Sequence, residues 1–236
     1  MTVIAKDVLQ RARTILQDGG AVRWPLTELA EWLGDGMRDL AGRNPSSTAT
    51  KLVIAMVEGT RQEVPAGFAS MIRVTRNLTG TVGAYVGGVV VMPIVREILD
   101  AQNPNWHDPA RTPFRVIVRH IIMDPLEPLA FYVYPGNTGA GKIEAIMSAI
   151  PADIVLAEGA EELDMDSYAV ALPFLQTYQS ALTDYVLYRA FSKDMQFAGA
   201  ADRAAAHFAQ FNAAVDNKTA QDKVYNVNTT NSQPNS

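Results

Sequence analysis

The chain of 236 residues contains no cysteine, which excludes disulfides, thiol nucleophiles, iron–sulfur ligation and cysteine-based zinc sites together. Long apolar runs are also missing. The longest begins at Val89 and is far shorter than the ~18 residues that a membrane span needs. Charged residues such as Lys6 and Arg11 interrupt the N-terminal segment, so it does not resemble a signal peptide. The composition therefore predicts a protein that is made in a reducing cytoplasm and stays out of membranes.

Basic charge is scarce as well. The formal net charge is −5, and no run of lysine and arginine occurs. Proteins that grip phosphate backbones need a basic footprint, which this chain lacks. DNA is therefore expected to pass near this protein, if at all, without being held.

The two ends of the chain show helical periodicity. In residues 4–43, apolar residues recur at three- and four-residue steps in two segments, separated by Gly19-Gly20 and by Trp24-Pro25. Residues 153–216 return to this spacing in two further segments, with a short connection around Lys193. Short connections favour antiparallel neighbours, so the four helices are predicted to form one bundle.

Residues 48–152 change to the period of two that is typical of strands. Short β-rich runs occur at Arg115–Arg119, Phe131–Tyr134 and Lys142–Met147, separated by proline and glycine clusters. One short helix is predicted around residues 95–101. The predicted fold class is therefore α+β: a four-helix bundle from the N- and C-terminal helix pairs, with an inserted antiparallel β-sandwich or barrel-like module and an extended C-terminal arm.

The predicted domains follow these shifts of period. Residues 1–47 and 153–216 form the bundle, 48–152 form the β module, and 217–236 form an extended tail. The tail holds five asparagines, and its only bulky apolar residues are Val224, Tyr225 and Val227. A segment this polar cannot bury enough apolar surface to offset the conformational entropy that it loses on ordering. We expect it to order on another protein, with these three residues as partner-binding side chains.

The segment Gly136–Lys142 meets the first part of a phosphate-binding loop, GxxxxGK. The motif then requires Ser or Thr to hold magnesium, and a helix whose N-terminus faces the phosphates. Here Ile143 follows, and the next residues alternate as a strand does. A glycine-rich β-hairpin loop is the favoured interpretation.

Other candidate residues have simpler structural explanations. No two histidines lie at a metal-ligand spacing, the acidic clusters suit solvated loops and a helix N-terminus, and the helical tyrosines suit a core. The residues concerned are His107, His120, His207, Glu158–Glu162, Asp164–Asp166, Tyr178, Tyr185 and Tyr188. We predict no catalytic residue, no metal site and no cofactor.

Several short motifs, in order, resemble phage adaptor proteins, the head-to-tail connectors. The resemblance covers roughly residues 20–213. The motifs are Arg23-Trp24-Pro25, Glu28-Leu29, Trp32-Leu33, Asp35-Gly36 and Arg38; Gly59-Thr60-Arg61-Gln62-Glu63-Val64-Pro65, Ile72-Arg73-Val74 and Arg76-Asn77; Leu99-Asp100 and Asn103-Pro104-Asn105-Trp106-His107; Phe131-Tyr132-Val133-Tyr134-Pro135; and Tyr185 to Asp194 with Arg203 to Phe208.

The resemblance implies a non-enzymatic virion protein at the head–tail interface. Such proteins form a ring, usually of twelve copies, which binds below the portal of the DNA-filled head and carries the next tail or nozzle protein. The genome would pass through the channel without specific binding. Two alternatives stay open at this point: another ring-forming tail protein of the tube or baseplate, and a nucleotide-binding protein that uses Gly136–Lys142.

Overall fold

The structure, a computed structural model, describes residues 2–124, 126–194 and 196–224. In chain order the elements are β1 (Thr2–Ile4), α1 (Ala5–Leu16), α2 (Leu26–Arg43), β2 (Ala49–Ala55), β3 (Glu58–Glu63), β4 (Phe68–Thr81), β5 (Ala84–Val90), β6 (Met92–Pro93), α3 (Arg96–Gln102), β7 (His120–Met123), β8 (Ala130–Thr138), β9 (Lys142–Ala149), β10 (Ala171–Leu175), α4 (Gln179–Lys193) and α5 (Ala200–Val224). The chain divides into two compact units, Met1–Thr48 with Pro151–Ser236, and Ala49–Ile150.

Helix α4 is the centre of the first unit. Helices α1, α2 and α5 each pack against it, whereas α1 and α2 touch one another over a smaller surface. Helix α1 buries residues at three- and four-residue steps, as an amphipathic helix on a core does. Helix α4 buries seven of its fifteen residues, because neighbours lie on several of its sides.

The predicted four-helix bundle is wrong. The described residues hold five α-helices and ten strands in three sheets, and a strand pair belongs to the helical unit. In β10, buried Leu172 and Phe174 alternate with exposed residues, and β10 pairs antiparallel with β1 (Thr2 opposite Leu175). The helical spacing of residues 153–216 had predicted that Phe174 and Leu175 lie within a helix. A short apolar run is compatible with both the helical and the strand period. Pairing with β1 makes this segment a strand.

Two four-stranded sheets build the second unit, in the orders β2-β9-β4-β5 and β3-β8-β7-β6. Both supply side chains to one buried apolar cluster, with Met71, Ile143 and Met147 from the first sheet and Phe131 and Val133 from the second. The unit is therefore a sandwich. The prediction that this module is antiparallel throughout is wrong, because β6 and β7 run parallel.

Two further predictions are corrected by hydrogen bonding and by helix length. Arg115–Arg119 is not a strand; the side chains of Asn77 and Asn137, both buried, bond the backbone of Val118 and Val116 instead. Residues 217–224 are not an extended arm, because α5 continues to Val224.

Candidate interaction surfaces

The Gly136–Lys142 segment leads from β8 into β9, and these strands lie in different sheets. It is therefore a connection between the sheets, and the predicted hairpin is wrong. Asn137 Oδ1 accepts hydrogen bonds from the N–H groups of Gly139 (2.9 Å) and Gly141 (3.0 Å). Lys142 Nζ donates to the Gly80 carbonyl at 2.8 Å. A phosphate would have to displace these bonds, and strand β9 stands where the motif requires a helix.

The three histidines lie apart and have structural contacts. His107 Nδ1 lies 2.7 Å from Thr60 Oγ1, His120 stacks on Tyr134, and His207 pairs with Asp184 at 2.9 Å. Across 2–124, 126–194 and 196–224, no group of three or more His, Asp or Glu residues is arranged to hold a metal ion.

The remaining candidates take part in local structure. Asp164 caps a 3-10 turn at Met165–Tyr168, accepting a bond from the Asp166 N–H at 3.0 Å. Tyr178 is buried, and its hydroxyl accepts a bond from Asn44 Nδ2 at 3.2 Å. Tyr185 and Tyr188 lie between α4 and α5, edge-on to Phe211 and tilted against Phe208 respectively. These tyrosines contribute to packing between helices.

A cavity of about 640 Å³ in the helical unit lies between α2 and the segment after Pro151. Four of its charged lining residues pair with one another, and Glu31 and Glu162 also line it. Arg38 bonds Asp35 at 2.9 Å and also Asp153, and Arg189 bonds Asp35 at 3.0 Å. The bonds to Asp35 and Asp153 raise the pKa of Arg38. Both arginines of the cavity are therefore engaged in ion pairs.

The predicted partner-binding residues lie at and beyond the end of the described chain. Val224 is the last residue of α5. Tyr225 and Val227 lie outside the described residues.

Exposed apolar surface is concentrated elsewhere, on the hairpin of β4 and β5. Val86 is 64% exposed, and Val89 and Val90 are each 59% exposed. Every residue of β5 except half-buried Tyr85 is exposed. A second exposed apolar group borders β6, where Met92, Val95, Ile98 and Met123 lie. Exposed apolar side chains grouped in this way are a feature of protein interaction sites. In the sequence, the apolar and uncharged run Ala84–Val90 indicates this surface, but we had not identified it as a candidate interaction site.

Charge is divided unevenly between the two units. Residues 49–150 carry nine basic and eight acidic residues, and the rest of the chain carries eleven basic and seventeen acidic residues. The acidic surplus therefore belongs to the helical unit and its C-terminal continuation.

Within the described residues, no helix is long and apolar enough to cross a membrane. A search of curated proteins finds no match to the chain. The model of one protein family, the SU10 adaptor proteins, matches residues 1–234. This match confirms the resemblance to phage adaptors, and it extends beyond the 20–213 range over which the motifs had suggested it. The chain belongs to the SU10 adaptor protein family.

Proposed function

We propose that this protein is a non-enzymatic structural component of a phage particle, a ring of about twelve copies that binds below the portal and connects the head to the tail. The observation that carries the proposal is the family match over nearly the whole chain. The exposed apolar hairpin of β4 and β5 supports it, because an assembled ring would cover such a surface.

The charge distribution also supports passage of the genome without binding. An acidic helical unit offers no basic footprint to phosphates, and the β unit is almost neutral. DNA would therefore slide through a channel lined by either unit.

Projection images of the protein bound to portal-bearing capsids test the ring and its position. A ring at the portal vertex, with tail attachment lost when the protein is absent, is the expected result. Particles that attach tails normally without the protein would contradict the proposal. A tube or baseplate protein would instead appear along or at the far end of the tail.

The C-terminal segment is proposed to attach the ring to the portal, with Val224, Tyr225 and Val227 as its contacts. The structure shifts its start from residue 217 to the end of α5. The twelve residues 225–236 would reach roughly 40–43 Å if fully extended, enough to cross to a neighbouring protein.

Two truncations distinguish the role of the C-terminal segment from that of the end of helix α5. Removing residues 225–236 should weaken attachment to the portal and leave the fold unchanged, and Tyr225→Ala should reproduce part of the loss. Removing residues 217–236 also deletes the end of α5, so any extra defect reports on the helix. Unchanged attachment after the shorter truncation would refute the arm.

A further inference from the structure

The two sheets of the β unit differ in how their edges are protected. In the sheet β3-β8-β7-β6, edge strand β3 carries Glu58, Arg61 and Glu63 within six residues. The opposite edge, β6, has only two residues, and one of them is Pro93. Charged, very short or proline-containing edge strands prevent another strand from adding.

The edges of the sheet β2-β9-β4-β5 have less of this protection. Strands β2 and β5 have seven residues each and contain no proline. Strand β5 has no charged residue and is exposed on both faces. The one charge of β2, Lys51, forms an ion pair with Glu144 of the neighbouring strand at 2.7 Å. Strand β5 therefore forms an uncharged edge, and the single charge of edge strand β2 is paired within its own sheet.

Strand direction makes the two edges complementary. Strand β2 is antiparallel to β9, β9 to β4, and β4 to β5, so β5 runs opposite to β2. If β5 of one copy lies beside β2 of the next in the same orientation, the new pair is antiparallel as well. A ring requires contacts of this head-to-tail kind, between two different surfaces of the same chain.

We propose that β5 of one copy pairs antiparallel with β2 of the next copy, so that their sheets continue around the ring. This rests on the proposed ring. A bulge lies between the β5 residues that face Leu78 and Arg76, so regular pairing is expected along Ala84–Gly87, with Val86 near its middle. Four strands per copy would add about 19 Å to the circumference, or roughly 230 Å for twelve copies.

Engineered cysteines test the pairing in assembled phage particles. Because the chain has no cysteine, Val86→Cys can be combined in turn with Thr50→Cys, Lys51→Cys, Leu52→Cys or Val53→Cys. Oxidation should give a ladder of reducible dimers, trimers and larger species. Its yield should alternate along β2, because successive residues of a strand point to opposite faces.

The controls identify other occupants of the edge. Val86→Cys with Arg61→Cys, on the protected edge β3, should give no ladder. Dimers from Val86→Cys alone would show β5 pairing with itself, and a ladder only with Val227→Cys would place the C-terminal segment there; either result overturns the proposal. The absence of any cross-link to β2 in particles that display the ring would also overturn the proposal. Particles without any ring would overturn the proposed function too.

A second measurement does not depend on disulfide geometry. Val86→Lys places a charge on the exposed edge, so folding should be unchanged while the amount of the protein per particle falls roughly tenfold or more. The matched control is Thr79→Lys on β4, the exposed residue opposite Val86, which should leave incorporation near normal. Equal incorporation of both variants would overturn the proposal.

Discussion

The side chain of Asn77 pairs with the backbone of Val118 in both directions. Asn77 Nδ2 donates to the Val118 carbonyl at 2.7 Å, and the Val118 N–H donates to Asn77 Oδ1 at 2.8 Å. Both residues are almost fully buried. The amide therefore satisfies the backbone of Val118, while the N–H groups of Arg115 and Arg119 bond the carbonyls of Gly136 and Tyr134.

Asn77→Ala should lower the free energy of unfolding by on the order of 2–4 kcal/mol, because it leaves a buried N–H and a buried carbonyl without these partners. Urea unfolding measures the change, with Thr79→Ala, an exposed neighbour on β4, as the control. A loss below about 1 kcal/mol would show that water or another group replaces the amide.

Gly36→Ala should destabilise the protein although alanine is the better helix former. An added Cβ would lie 2.8 Å from Cδ1 of Tyr185, so α2 and α4 would have to separate. Gly42→Ala in the same helix meets nothing within 4 Å and should stabilise by about 0.5–1 kcal/mol. Thermal melts of the two variants should therefore shift in opposite directions; shifts of the same sign would contradict the close approach.

Phe211→Ala should cost about 3–5 kcal/mol, because its ring is fully buried against Tyr185, with a centroid distance of 5.0 Å. The matched variant is Phe208→Ala, one turn earlier on α5. Phe208 is 37% exposed, so its loss should be nearer to about 1 kcal/mol. Helical spacing in the sequence places both rings on one apolar stripe and does not distinguish their burial. Similar losses in chemical denaturation would mean that both rings face the core equally.

The protein should neither bind nor hydrolyse nucleotide, and Lys142→Ala should leave assembly nearly unchanged. Asn137 Oδ1 accepts hydrogen bonds from two backbone N–H groups of the glycine-rich loop, and Lys142 Nζ donates to the Gly80 carbonyl. Titration with magnesium and ATP, followed by fluorescence or calorimetry, checks the expectation. ATP hydrolysis that disappears in Lys142→Ala would overturn the structural interpretation of this loop.

The stability of the β unit should fall as the pH drops below 6.5. Burial lowers the pKa of His107, and the charge of Arg96 lowers it further. The unfolded chain then binds the proton more tightly than the folded protein does. The stability that neutral His107 contributes is therefore complete above pH 6.5 and is lost as the pH falls towards the pKa of the folded state. His107→Gln should reduce the slope of unfolding free energy between about pH 5 and 7. An unchanged slope would contradict this assignment.

Local pattern predicted several elements correctly. Helices α1 and α2 occupy the periodic segments of residues 4–43, α3 lies within one residue of the predicted short helix, and β8 and β9 contain the predicted β-rich runs. Side-chain periodicity reports the repeat of the backbone and the face that is buried, so it identifies such elements wherever one face meets a core. The ordered motifs also identified the family.

Partners distant in the chain decided the rest. Residues 115–119 have the composition of a strand. However, the side chain of Asn77, 41 positions before Val118, forms hydrogen bonds with the Val118 backbone. Phe174 fits a helical stripe, yet its segment pairs with the N-terminus. The open edge at β5 exists only because β4 and β9 place it last in the sheet. Each outcome depends on which backbone groups lie within hydrogen-bonding distance after folding, and residue spacing along one segment carries no record of that distance.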